Sequence, residues 1–254
     1  MNTPGQGRAG DVAIYALGLG DDALVLAQRM GEWIASAPEL EEDVALGNIG
    51  LDLLGQARAL LTYAGSADGR TEDDLAYLRG ADEFCNVLLV ERPDDGDFAH
   101  CVARLLVFSA YQAELYARLA SSGDETLSAV AAKAVKEVAY HRDHATQWAL
   151  RLGDGTEESH RRMQAGLDAV WPYVDELFAA DELEPGLPGV AVDPAELREP
   201  TVAYVSGVVG RATLAVPDVP AAPGGGRAGR HTDALVSMLA EMQGLARAMP
   251  GVTW

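Results

Sequence analysis

Apolar residues recur along most of this chain at spacings of three and four, the period of a helix that buries one face. Alternation with period two is nearly absent. The stretch "GDDALVLAQRMGEWIASAP" predicts a first long helix, with Asp21 and Asp22 at its start and Pro38 beyond its end. "PELEEDVALGNIGLDLLGQARALLTYAG" predicts a second, with acids in its first turn where the helix dipole favours them. From Val44 to Tyr63 that helix is apolar nearly all round, which predicts burial on every side; Asn48, Asp52, Gln56 and Arg58 are its polar exceptions. Leu75 to Val90 gives one or two shorter helices. A third long helix is expected over Asp97 to Ala120 and a fourth over Glu125 to Leu152.

Thr156 is a suitable N-cap for a further helix over Glu157 to Ala180, and Asp193–Pro194 opens a short one. "TVAYVSGVVGRATLAVP" is ambiguous, because its valines favour a strand while its neighbours are helical. A last helix is expected over Thr232 to Met249. Residues 1–10 read as a flexible tail and 217–231 as a Gly/Pro-rich loop before the last helix. Four long helices with peripheral ones around them predict an all-α helical bundle, a single domain spanning 1–254.

Charge and cysteine use narrow the function classes. A formal net charge of −20 repels phosphate backbones and anionic membranes, so neither nucleic acid nor membrane is expected as a partner. Two cysteines, Cys85 and Cys101, lie in apolar surroundings and read as reduced thiols of a cytoplasmic protein. The N-terminal residues carry neither a secretory signal nor a membrane span.

The chemistry that bundles of this kind host is a carboxylate-bridged di-iron centre. It needs a Glu from each of two helices and a Glu-x-x-His pair from each of two others. "KAVKEVAYHRDHATQW" comes nearest: Glu137, His141, His144 and Trp148 fall within a band of roughly 60° on the fourth helix. Yet the residue three after Glu137 is Tyr140, and the bland reading is a buried Glu–His hydrogen-bond network. The second helix has no histidine and offers Asp52 within a ladder of Asn48, Asp52 and Gln56. The first offers Gln28 and Glu32. The third shows Ser109 and Gln112 on its apolar face, while Glu114 points away and reads as solvated. Glu157-x-x-His160 and Asp97-x-x-His100 match the spacing but sit in exposed first turns, where acids serve the helix dipole. Half a site is present without its other half.

No nucleophile elbow, reactive cysteine or phosphate-binding glycine fingerprint occurs. Arg227, Arg230 and His231 form a basic cluster on flexible glycines just before a helix start, a place where an anion is favoured. Contact with a phosphate or with an acidic partner is one reading; a mobile solvated loop is the other.

"LGDDALVLAQRMGEWIASAPELEEDVALGNIGLDLLGQARALLTYA", "FCNVLLVERPDDGDFAH", "AAKAVKEVAYHRDHATQWALRLGDGTEESHRRMQ" and "HTDALVSMLAEMQGLARAMPG" together resemble the family of the C subunits of phenylacetyl-CoA 1,2-epoxidase. The resemblance covers nearly the whole chain. It implies a ferritin-like fold and a structural subunit paired with a homologous catalytic subunit that carries the di-iron centre. With a reductase component, such a complex adds one oxygen atom from O2 to the ring of phenylacetyl-CoA. The resemblance implies no cofactor in this subunit and transfers no catalytic residue to it.

Three readings therefore stand. In the first the chain is a non-catalytic scaffold in an epoxidase complex. In the second it is a stand-alone di-iron carboxylate oxygenase using Glu32, Asp52, Glu137 and His141 in an atypical site, against which the missing histidine of the second helix counts. In the third it binds acyl-CoA alone through Arg227 and Arg230, against which the net charge counts.

Overall fold

The computed structural model describes residues 4–180 and 183–252. The regular structure among these residues is all helical, with no strand among them. They divide into two compact units, Met1–Arg92 with Gly225–Trp254, and Pro93–Gly224.

The first unit is built on α1 (Pro4–Gly31) and α2 (Leu40–Gly65). Close approach at two glycines sets their packing. A methyl group on Gly20 would lie 2.8 Å from the Leu61 side chain, and one on Gly50 would lie 3.3 Å from Cβ of Met30. Position 20 meets 61 while 30 meets 50, so the pair is antiparallel. Short turns at Asp74–Leu78 and Ala81–Glu83 and the four-residue α3 (Leu88–Glu91) follow, and α8 (Asp233–Ala248) returns to them. Gln243 donates to the carbonyls of Ala76 and Arg79, both at 3.0 Å, and Arg247 to those of Tyr77 and Arg79.

Three expectations are corrected by this unit. Helix α1 starts at Pro4, where a tail to Gly10 was expected; residues 1–3 lie outside the described residues. It also runs unbroken through Gly18 and Gly20, because Asp21 and Asp22 do not cap a new helix. Both side chains are buried instead. Lastly, α2 is not buried on every side. Leu46, Ile49, Leu53 and Leu60 are at most 1% exposed, but Leu40, Val44, Leu51 and Leu54 are exposed.

The second unit is organised around α4 (Phe98–Leu119), most of which is buried, including Ser109 and Gln112. Against it lie α5 (Glu125–Gly153), α6 (Glu157–Val170) and α7 (Ala195–Arg211). Side-chain caps set the starts: Asp97 accepts from the Ala99 N–H, Asp124 from those of Thr126 and Leu127, and Thr156 forms a capping box with Ser159. Regular helix stops at Val170, where Pro172 follows, and short turns at Trp171–Tyr173 and Asp175–Phe178 replace the expected continuation to Ala180. Most of the ambiguous segment is helix α7. Leu197, Thr201, Val205, Val208 and Val209 are buried at helical spacing, so the burial period overrides the strand preference of valine.

Candidate functional site

On α5 the residues of the carboxylate–histidine band share one helix but not one environment. His141 and Trp148 are buried, and the Trp148 ring packs edge-on to Phe98 of α4 at 4.9 Å. His144 is half-buried, with the Tyr140 ring 6.1 Å away. Glu137 lies 3.4 Å from Nζ of Lys133 in the preceding turn, and its side chain is 17% exposed.

The other candidates are engaged elsewhere. Both oxygens of Glu32 accept from Nη1 of Arg29, at 2.8 and 3.0 Å. Asp52 is half-buried on α2. On α4, Glu114 is half-buried and accepts from Arg118 at 2.7 Å, where a solvated residue was expected. His160 lies 2.7 Å through Nδ1 from the Gly153 carbonyl, at the start of α6. Among the described residues no three of His, Cys, Asp and Glu are grouped to hold a metal ion. The donors present do not fit a centre that needs four carboxylates and two histidines.

The densest polar chemistry lies in the first unit, and it joins α1, the 79–91 segment and the turn before α8. Asp21, fully buried, takes both Nη atoms of Arg79 and the backbone N–H of Cys85. Asp22 takes Arg227 at 2.6 and 3.0 Å and the Val87 N–H at 2.8 Å. Burial pushes Asp22 up to about 6 despite the Arg227 charge and the hydrogen bonds that pull it down. Arg227 also donates to the carbonyls of Gly18 and Cys85. Glu91 accepts from Asn86, the Thr232 N–H and His231. Burial raises the Glu91 carboxyl, but these donors outweigh it and hold it below the usual value. Burial lowers His231, but Glu91 and the Phe84 carbonyl outweigh it and raise the imidazole above its usual value.

The 226–231 stretch is thus a packed turn rather than a solvated loop. Gly226 makes it possible: a methyl group there would sit 2.1 Å from the Asn86 carbonyl oxygen. Arg227 is committed to Asp22, whereas Arg230 is exposed, its guanidinium against Gly225. The sequence singles out Arg227, Arg230 and His231 but does not connect them to Asp21, Asp22, Arg79 and Glu91. The adjacent acids in "GLGDDA" inside an apolar run are the one available signal.

The profile of the family described as "Phenylacetic acid catabolic protein" matches residues 3–254. The chain is 48% identical over 243 residues to the C subunit of the 1,2-phenylacetyl-CoA epoxidase of Escherichia coli (strain K12), covering 94% of this chain and 98% of that one. Among solved structures it resembles protein 19 with aldehyde deformylating oxidase activity from Synechococcus, with a TM-score of 0.53 and 17% identity over 84% of this chain and 94% of that one. At that identity the likeness carries the fold alone, which is ferritin-like, as expected.

Proposed function

Because the chain belongs to the phenylacetic acid catabolic protein family, we propose that it is the structural, non-catalytic subunit of a cytoplasmic phenylacetyl-CoA epoxidase. The 48% identity to the C subunit of such an epoxidase, over nearly the full length of both chains, is the observation that carries this reading. The ligand set adds support, since Glu32 and Glu137 are engaged by Arg29 and Lys133 and no metal-holding group exists among the described residues.

In this reading the oxygen chemistry is supplied by a di-iron centre in a homologous catalytic subunit, with electrons from a reductase component. This chain contributes rigid helices that hold its partner's helices in register, so that the partner's reacting groups are preorganised. No residue of this chain touches the reacting atoms.

The test is to express the chain with and without the catalytic subunit of its own epoxidase and to measure iron and phenylacetyl-CoA turnover. Iron is expected in the catalytic subunit and in the complex, and turnover only in the complex with the reductase. About two iron ions per isolated chain, with turnover in the partner's absence, would restore the stand-alone oxygenase.

A further inference from the structure

The connection that follows α7 is written in threes. In "VPDVPAAP", residues 216–223, proline stands at 217, 220 and 223. Each ring fixes its own φ near about −65° and bars the residue before it from helical backbone, which makes Val216, Val219 and Ala222 extended. Asp218 and Ala221 alone escape both constraints, and neither lies in a helix or has a positive φ. Such a run forms a polyproline II rod with three residues per turn, so residues three apart share an edge. One edge is Pro217, Pro220 and Pro223; the next is Val216, Val219 and Ala222.

The second unit holds this rod near both ends and leaves its length in solvent. Just before it Leu214 is buried. Gln164 accepts from the Ala215 N–H at 2.9 Å and donates to the Ala215 carbonyl at 3.0 Å. Near the other end the Ala222 N–H donates to the Pro172 carbonyl at 2.8 Å. Between these anchors Val216 and Val219 are 43% and 37% exposed, and Asp218, Pro220 and Ala221 are exposed. A spacer needs prolines for stiffness, but it has no need of valines in water on successive turns. Successive Val–Pro, Val–Pro and Ala–Pro pairs, each separated by one residue, are what an aromatic-lined groove takes from a polyproline rod.

Size and charge select the partner. A stable interface uses about 20–30 residues a side, and the rod offers eight. Contacts this small belong to the transient class that includes electron-transfer encounters. Asp218 is the single charged residue between Arg211 and Arg227, so the groove that fits carries a Lys or Arg opposite it. In the complex described above, the component that delivers electrons is the one suited to bind and leave.

We propose that residues 216–223 are a docking rod for the reductase component, which meets it with a groove of aromatic side chains and one cation facing Asp218. The proposal rests on the subunit reading above. Val219 and Pro220 stand at the centre of the rod and are its anchors.

The experiment measures phenylacetyl-CoA turnover by this chain assembled with its catalytic subunit, with the purified reductase as the varied component. Val219→Asp keeps every proline and is expected to raise the KM for reductase about 10-fold. Pro220→Ala should raise it about 5-fold, and Asp218→Lys should raise it most at low salt. The kcat at saturating reductase and the melting temperature should stay at wild-type values, because these side chains are exposed. An unchanged KM in all three variants overturns the proposal and leaves the subunit reading standing. A KM that moves with Pro220→Ala but not with Val219→Asp makes the rod a stiff spacer and also overturns it. So does weaker assembly with the catalytic subunit at an unchanged KM, which would place the rod in a permanent interface. A wild-type mixture that neither assembles nor turns over defeats the subunit reading itself, and this proposal falls with it.

Discussion

His231 stands with Nδ1 2.8 Å from Oε2 of Glu91 and Nε2 2.8 Å from the Phe84 carbonyl oxygen. A carbonyl only accepts, so Nε2 carries a hydrogen, and the carboxylate holds a second on Nδ1. The pair is an imidazolium and a carboxylate with side chains 3% and 0% exposed.

Stability should therefore depend on pH in a definite direction. His231 is raised in the folded chain, so its contribution is complete below the ordinary 6.5 and is lost as pH rises through the higher folded value. Glu91 is depressed, so its contribution is complete above the ordinary 4.5 and is lost as pH falls through the lower folded value. Asp22, raised to about 6, favours its protonated form when folded and removes stability as pH rises through that value. The melting temperature should peak at mildly acidic pH and fall toward alkaline pH. His231→Gln should be less stable than wild type in mild acid, with the difference shrinking as pH rises. A constant difference across the range would contradict the assignment.

Arg227→Ala should unfold more readily by about 2 kcal/mol, because it leaves the Asp22 carboxylate buried without its cation. The loss should be smaller near pH 5, where Asp22 can take up a proton, than near pH 8. Arg227→Lys should not restore wild-type stability, since an ammonium cannot reproduce the two-pronged contact. Chemical denaturation at the two pH values measures both effects. Arg230→Ala, at an exposed side chain, should leave stability unchanged, which makes it the cleaner variant for asking whether the complex needs this cation to bind acyl-CoA.

Gly226→Ala should cost about 2 kcal/mol or more, because its methyl group meets the Asn86 carbonyl and the turn that delivers Arg227 and His231 must shift. Gly244→Ala, in the exposed middle of α8 with nothing within 4 Å, should instead gain a few tenths to about 1 kcal/mol. Opposite shifts of the thermal midpoint are expected from the same chemical change.

Local signals in the sequence proved reliable. Thr156 caps α6 as its sequence predicts, since a cap is decided within three residues; Asp97 and Asp124, which the sequence reading did not single out as caps, do the same for α4 and α5. The period that makes α7 a helix was also present, but valine's strand preference obscured it. What was not legible needs partners distant in the chain. Nothing near Arg104, in "ARLLVF", shows that it is wholly buried, with Asp94 2.7 Å away. Asp21 and Asp22 imitate a helix start until the arginines at 79 and 227 are placed on them. The outer face of α2 looked like core because composition reports how apolar a helix is, not whether its own chain covers it. For the metal candidates, spacing on α5 was readable, whereas the engagement of Glu137 by Lys133 and of Glu32 by Arg29 required coordinates.

The first unit is made of two pieces of sequence with the whole second unit between them. On a ribosome adding about 5–20 residues per second, Asp22 emerges about 10 to 40 s before Arg227, 205 residues later. During that interval the first piece, α1 to α3, holds Asp22 and Glu91 without their later cations, while residues 93–224 can already close on themselves. Translation therefore finishes the chain's middle before its beginning, and the leading hairpin is the part most in need of chaperone protection until the turn at Gly226 arrives.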